Sequence, residues 1–440
     1  MDGIVYKKIV RAFFQKIIKT DDVKTLVENF FSLAVLQGVN YLLPLITLPY
    51  LVRVLGPEKY GLVMFAQAFL QYFVVLTDYG FDISATREIS LHRQDKQKTA
   101  EIFSAVILIK LLLMVLSFLV LLLIVFSVKK FAAEWELYLL TFGFVMGNVL
   151  FPVWFFQGME KMRFVTLLNI TSKLIFTVLI FVFIREISDY MLVPLFNGLG
   201  FLVAGVISLW LVFRHFGIRW KPVPLSVILF HLKDSFHFFF SRISISLITV
   251  TNTFVLGLLT SNTLVGYYAA AEKIIRAIES LVQPVVQSLY PYMSRIRNIK
   301  LYKRILFVGL LFSLLILAVI LIFGDFITGL VLGSQFTYSN YILKLLSLEI
   351  PIVYFSILLG LPLLAALGYK WYFNYSAVFC SIFHIVQLGL LMLAYYLFPL
   401  SEDTFIIALI IATIMTNLLG LALRLYPVFK FKLLRLEKEM

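Results

Sequence analysis

The sequence predicts an all-α integral membrane protein of twelve transmembrane helices in two six-helix lobes, with no soluble domain. Three observations lead there. Of 440 residues, 61% are hydrophobic and 14% charged, and the mean hydropathy is +0.97; a soluble chain is nearer half apolar and a quarter charged. The apolar residues fall into stretches of about 20, enough to cross a hydrocarbon core. The basic residues crowd onto alternate loops, as a positive-inside topology requires. The same numbers exclude a soluble enzyme, a disordered chain and a disulfide-stapled secreted domain.

Residues 1–28 interleave Lys7, Lys8, Arg11, Lys16, Lys19 and Lys24 with Ile4, Val5, Ile9, Val10, Phe13, Phe14, Ile17 and Ile18. With no unbroken apolar core and no cleavage site, this is not a signal peptide. It reads as a basic amphipathic helix on an anionic membrane surface, or equally as a solvated cytoplasmic tail. Spans are then expected at 29–55, 61–83, 102–127, 135–156, 164–184 and 191–213. Six more follow at 235–259, 264–290, 304–323, 342–367, 372–398 and 404–426. The first, second, seventh, eighth and tenth are less apolar, so their polar residues are expected to face protein or water.

With the N-terminus inside, the inner segments hold 26 Lys and Arg and the outer loops only Lys59, Lys129, Lys130 and Arg185. That asymmetry puts both ends in the cytoplasm and requires an even number of spans. The net charge of +14, which in a soluble protein would suggest nucleic acid, becomes a topology signal; no nucleic-acid partner is expected. The longest outer loop, 324–341, is half apolar and expected at the interface. Loops this short argue against a membrane glycosyltransferase, acyltransferase or polymerase. Cys380 is alone, the five histidines form no ligand pair, and no phosphate-binding glycine loop or nucleophile elbow occurs. No metal, cofactor or enzymatic activity is expected.

The basic, proline-containing segment 214–234 divides the spans into lobes 29–213 and 235–426, followed by a tail, 427–440. Residues 55–67 and 260–272 align at an offset of 205, matching Gly61 to Gly266, Ala66 to Ala271 and Gln67 to Glu272. Two related six-helix halves imply a transporter with its site between them.

Several segments resemble the Wzx-type polysaccharide (O-antigen) flippases of the multidrug/oligosaccharidyl-lipid/polysaccharide exporter superfamily. In the first half these are R-V-L-G-P-E-K-Y-G (53–61), D-Y-G (78–80), T-R-E (86–88) and W-F-F-Q-G-M-E-K-M (154–162). In the second they are V-G-Y-Y-A-A-A-E-K (265–273), Gln283-Pro284 and Y-P-Y-M-S (290–294). The resemblance implies two V-shaped lobes and outward flipping of an undecaprenyl-pyrophosphate-linked oligosaccharide across the bacterial inner membrane. It also implies membrane lipids, a polysaccharide polymerase and a chain-length regulator as partners. A cation-coupled multidrug or small-solute exporter of the same superfamily is the alternative; it would want a deep acid rather than a cationic cavity.

Ionisable groups inside a bilayer are costly and mark function. Glu272, Lys273, Arg276 and Glu279 cluster in span eight, where i, i+3 and i, i+4 spacing puts them on one face. They are either a cationic wall for pyrophosphate or an ion-pair lock. Lys110, Lys173 and Arg242 sit eight to ten residues inside the inner ends of their spans, suiting an inward-facing vestibule or structural pairing. Asp78 and Glu272 are candidate ion-coupling acids, with Arg87 the bland partner for Asp78. Asn40, Thr47, Asn252 and Gln283 are candidate sugar contacts, and Pro44, Pro49 and Pro284 candidate hinges. Arg53, Arg424 and Asp82 are expected to snorkel at span ends.

Overall fold

The computed structural model describes residues 21–398 and 400–434, so most of the basic N-terminal segment and the end of the C-terminal tail lie outside the described residues. Regular structure among these is helical throughout. The first half holds α1 (Asp21–Asp78), α2 (Phe81–His92), α3 (Lys96–Ser127), α4 (Lys129–Ala132), α5 (Trp135–Leu150), α6 (Val153–Gly158), α7 (Met162–Phe183) and α8 (Leu192–Arg214). The second holds α9 (Leu225–Thr249), α10 (Thr251–Leu259), α11 (Asn262–Ser280), α12 (Gln283–Ile296), α13 (Ile299–Val331), α14 (Thr337–Ser347), α15 (Glu349–Leu358), α16 (Lys370–Leu397) and α17 (Glu402–Lys430). A π-helical stretch, Leu359–Ala365, continues α15 around Pro362.

Nine helical runs among the described residues are long and apolar enough to cross a membrane. The run Gly38–His92 contains two of the twelve expected spans. They are separated at Gly56, whose φ of 67° favours glycine and is followed by Pro57. Pro44 and Gln67 line one cavity, whereas a straight helix would hold them about 35 Å apart; the chain therefore folds back at Gly56. The other two, 225–259 and 262–296, are helical but richer in polar side chains. Each expected span thus has a helical counterpart.

Two local expectations change. The stretch 324–331 is not a loop but the last two turns of α13, after which Gly333 has φ 87°. Pro284 does not kink a continuous helix: it sits in the first turn of α12, after α11 has ended. Asp95 caps α3 by accepting from the backbone N–H groups of Gln97 (2.8 Å) and Lys98 (3.0 Å). Those bonds, Lys98's foremost, hold its carboxyl below the usual carboxylate range.

The outward faces are apolar. On α3, Leu112, Leu116, Leu119 and Leu123 form an exposed stripe at helical spacing, as a lipid-facing helix requires. Inside, the packing is divided. Towards the end of the bundle where the described residues begin and end, there are two cores: one around Phe103, Phe155 and Val212 of the first half, which Ile228 and Leu232 of α9 also cover, the other around Tyr302, Leu359 and Val428 of the second. Towards the opposite, far end, one core is built from both halves, including Phe65, Leu137, Leu256, Ala270 and Leu343. The two bodies thus share a core at the far end and touch at the terminal end through α9, where the Ser84 and Ser235 hydroxyls meet at 2.6 Å and Tyr79 stacks on Phe239 at 4.7 Å between centroids.

The join rests on glycines. A Cβ on Gly61 would collide with the Asn262 carbonyl and the Gly266 amide, and a Cβ on Gly266 with the Pro57 carbonyl. Pro57 and Asn262, like Gly61 and Gly266, are 205 residues apart, so the contact repeats itself under the offset seen in sequence. Two-fold pairing of this kind lets helix backbones touch. Around it, Phe254 of α10 stacks on Phe65 and Phe69 at 5.7 and 5.5 Å between centroids. Lys130 Nζ donates to the carbonyls of Leu258 (3.3 Å) and Thr260 (3.2 Å) across the halves. Tyr72 and Thr251 hydroxyls meet at 2.8 Å.

A valine in place of Gly266 should therefore prop the far end open. Thr260 is 5% exposed; a cysteine there, in a Cys380→Ser background, should be slow to react with a membrane-impermeant maleimide and become readily labelled when Gly266→Val is added. Unchanged labelling would mean that the glycine contact does not hold the far end shut.

Candidate functional site

Two cavities lie along α1, the first mainly within the first half with Lys273 reaching it from the second. The first, about 210 Å³, is bounded by both limbs of α1, by α7 and α8, and by α11. Lys173 of the first half and Lys273 of the second both line it, and no acid does. Lys173 Nζ donates to Asn40 Oδ1 at 2.5 Å, which aims its ammonium from α7 towards α1. Lys273 Nζ sits 5.6 Å from the centre of the Tyr60 ring, a cation–π contact that steadies the side chain without neutralising it. Thr47 is buried, with its hydroxyl turned back on the Leu43 carbonyl (3.1 Å).

The second cavity, about 320 Å³, lies between α1, the start of α2, and α9, and is lined by Gln71, Asp78, Asp82, Arg242 and Ser246 with three valines. Its charges are matched. Lys110, whose side chain is 3% exposed, reaches Asp78 at 2.7 Å from behind the wall, and Arg242 is ion-paired with Asp82. Arg87 is not the partner of Asp78; it reaches Asp234 at 3.0 Å. Asp82 and Arg242 thus meet between the halves, and Asp82 does not snorkel.

The span-eight cluster divides. At about 100° per residue, Arg276 lies within roughly 60° of both Glu272 and Glu279, while Lys273 falls 60–120° away. Arg276 is accordingly clasped by Glu272 (3.4 Å) and Glu279 (3.1 Å), with 39% of its side chain still accessible, and Lys273 faces the first cavity. Glu272 also accepts from Thr253 at 3.2 Å. Both candidate coupling acids, Asp78 and Glu272, are therefore ion-paired.

Asn252 is 1% exposed, inside the second half rather than on a cavity. Its amide donates to Thr413 (2.9 Å) and Tyr268 (3.3 Å), and His384 Nε2 lies 3.0 Å from its carbonyl oxygen. His384 is fully buried and also bonds Thr416 at 3.0 Å. Nearby, Asn417 donates to the buried Glu349 at 2.9 Å. His384 did not stand out in sequence; the polar run Thr413, Thr416, Asn417 in an apolar helix was the available signal. Arg424 does not snorkel either, while Arg53 is exposed. Arg424 donates to Ser356 O (2.9 Å), Ser356 Oγ (3.0 Å) and Ser376 Oγ (3.1 Å), because α17 runs beyond it to Lys430. Arg53 donates to the Leu330 carbonyl near the end of α13.

Comparisons with known proteins agree with this architecture. The family model described as "Polysaccharide biosynthesis protein" matches residues 26–297. A protein named "Putative O-antigen transporter" from Escherichia coli (strain K12) is 33% identical over 360 residues, covering 79% of this chain and 85% of that one. A protein of the same name from Shigella dysenteriae is 26% identical over 320 residues, covering 72% and 80%. Among solved structures, the lipid II flippase MurJ in an inward closed conformation superposes with a TM-score of 0.68 at 15% identity, covering 94% of this chain and 89% of that one. An inward-facing multidrug transporter of the MATE family, in the MOP superfamily, gives 0.62 at 15% identity, covering 90% and 96%. These structures share the fold. The chain belongs to the polysaccharide biosynthesis protein family, as a multi-pass membrane protein with the fold of MOP-superfamily transporters.

Proposed function

We propose that the protein flips an undecaprenyl-pyrophosphate-linked oligosaccharide from the cytoplasmic to the outer leaflet of the bacterial inner membrane by alternating access, for surface polysaccharide assembly. The observation that carries this reading is the first cavity: one lysine from each half, Lys173 and Lys273, and no acid on its wall. Two ammonium groups in a confined, largely apolar space suit a pyrophosphate and repel an organic cation. That favours a lipid-linked anion over the cation-coupled drug exporter. Arg276 on the same helix does not line this cavity, its guanidinium being held by Glu272 and Glu279.

The direction of transport follows from the topology. With both termini cytoplasmic, the terminal end of the bundle is the inner end, and the lobes 29–213 and 235–426 are the bodies that rock about the far-end join. A substrate carrying two negative charges gains about 4.6 kcal/mol per 100 mV on leaving an inside-negative cell. With Asp78 and Glu272 each already matched to a cation, the membrane potential supplies the drive. Polysaccharide polymerase and chain-length regulator are the partners such a flippase would hand its product to.

In a strain lacking the chromosomal copy, Lys273→Ala and Lys173→Ala should each lower surface polysaccharide at matched protein levels, and the double variant should abolish it. A charge-assisted bond of about 1.5–3 kcal/mol corresponds to roughly a tenfold or greater loss of affinity for each lysine. Lys273→Arg should retain most export. Wild-type polysaccharide in the double variant would sink the head-group role.

A further inference from the structure

The two cavities differ in a way that divides one substrate between them. Gln67 lines the first and Gln71 the second; they are one helical turn apart on α1, a rise of about 6 Å. The cavities are therefore neighbours along a single helix face. The first carries two unmatched ammonium groups. The second is polar but neutral, since Asp78 is paired with Lys110 and Asp82 with Arg242. A neutral, polar cavity has no preference for an anion or a cation. What it offers is hydrogen bonds: carboxylate oxygens, a guanidinium and the Gln71 amide. Asp82 Oδ1 is buried and has no hydrogen-bond donor among the described residues, and an orphaned carboxylate oxygen is costly until a donor reaches it.

We infer that this second cavity is the glycan subsite, taking the hydroxyl-rich sugar nearest the pyrophosphate while the lysines of the first hold the phosphates. The inference rests on the lipid-linked-oligosaccharide reading above. Sugar hydroxyls donate to Asp78, Asp82 and the Gln71 carbonyl, and accept from Arg242 and the Gln71 amide. Because each carboxylate is already charge-matched, these bonds form without importing a counter-ion. A site built to bond hydroxyls discriminates strongly against a ligand that lacks them.

The test compares two probes on the full-length protein in lipid nanodiscs: farnesyl diphosphate, and farnesyl diphosphate carrying one N-acetylhexosamine. Wild type should bind the glycosylated probe about tenfold tighter, the scale of one or two hydroxyl contacts. Gln71→Ala and Asp82→Asn should each shrink that gap about three- to tenfold. For Gln71→Ala, which leaves the charge unchanged, affinity for bare farnesyl diphosphate should stay unchanged, which also reports that this variant is folded. Lys273→Ala should weaken both probes equally. No gap in wild type, or a full gap surviving in both Gln71→Ala and Asp82→Asn, would overturn the glycan subsite alone. A wild type that binds neither probe would instead overturn the lipid-linked-substrate reading beneath it.

Discussion

The rest of the structure depends on one backbone contact, the crossing of α1 and α11 at Gly61 and Gly266. Neither position has room for a Cβ. Because lipid supplies no hydrophobic drive between helices, such contacts are held by close packing, and here the packing gathers other groups around it. The aromatic stack of Phe65, Phe69 and Phe254 and the Lys130 cap on Leu258 and Thr260 all lie around this crossing. At the other end there are two cores rather than one, and the halves touch through α9, at Ser84 with Ser235 and Arg87 with Asp234. The cavities occupy the space this geometry leaves.

What fills that space is set by where charges find partners. Ionisable side chains in a membrane protein are usually paired, and most here are: Lys110 with Asp78, Arg242 with Asp82, Arg276 with two glutamates, Lys344 with Asp325. Lys173 and Lys273 differ. Their contacts, to the Asn40 amide oxygen and the Tyr60 ring, orient them without cancelling their charge. Arg424 too bonds neutral groups, at Ser356 and Ser376, but Lys173 and Lys273 face one cavity from the two halves and make it locally positive.

Much of the fold was legible because hydropathy and loop charge are direct physical records of the bilayer. The offset of 205 was legible too, and the symmetric contact of Pro57 with Gly266 and Gly61 with Asn262 gives that faint similarity a physical meaning. Individual intramembrane charges were legible, but their pairings were not. Spacing placed Lys273 and Arg276 on one helix face, yet their angular difference was enough to send one to a cavity and the other between two acids. Asn252 read as a sugar contact because nothing in α10 reveals that His384 and Thr413, more than 130 residues away, close around it. Long-range polar networks leave no local pattern.

Reversible bridging of the far end tests the central claim, that transport requires the join at Gly61 and Gly266 to open. Lys130→Cys and Thr260→Cys, in a Cys380→Ser background, would be linked in cells by a short bis-methanethiosulfonate and released by reductant. Surface polysaccharide synthesis should stop on linking and resume on reduction, with each single-cysteine variant unaffected. Export that continues undiminished through a fully linked far end would contradict the account.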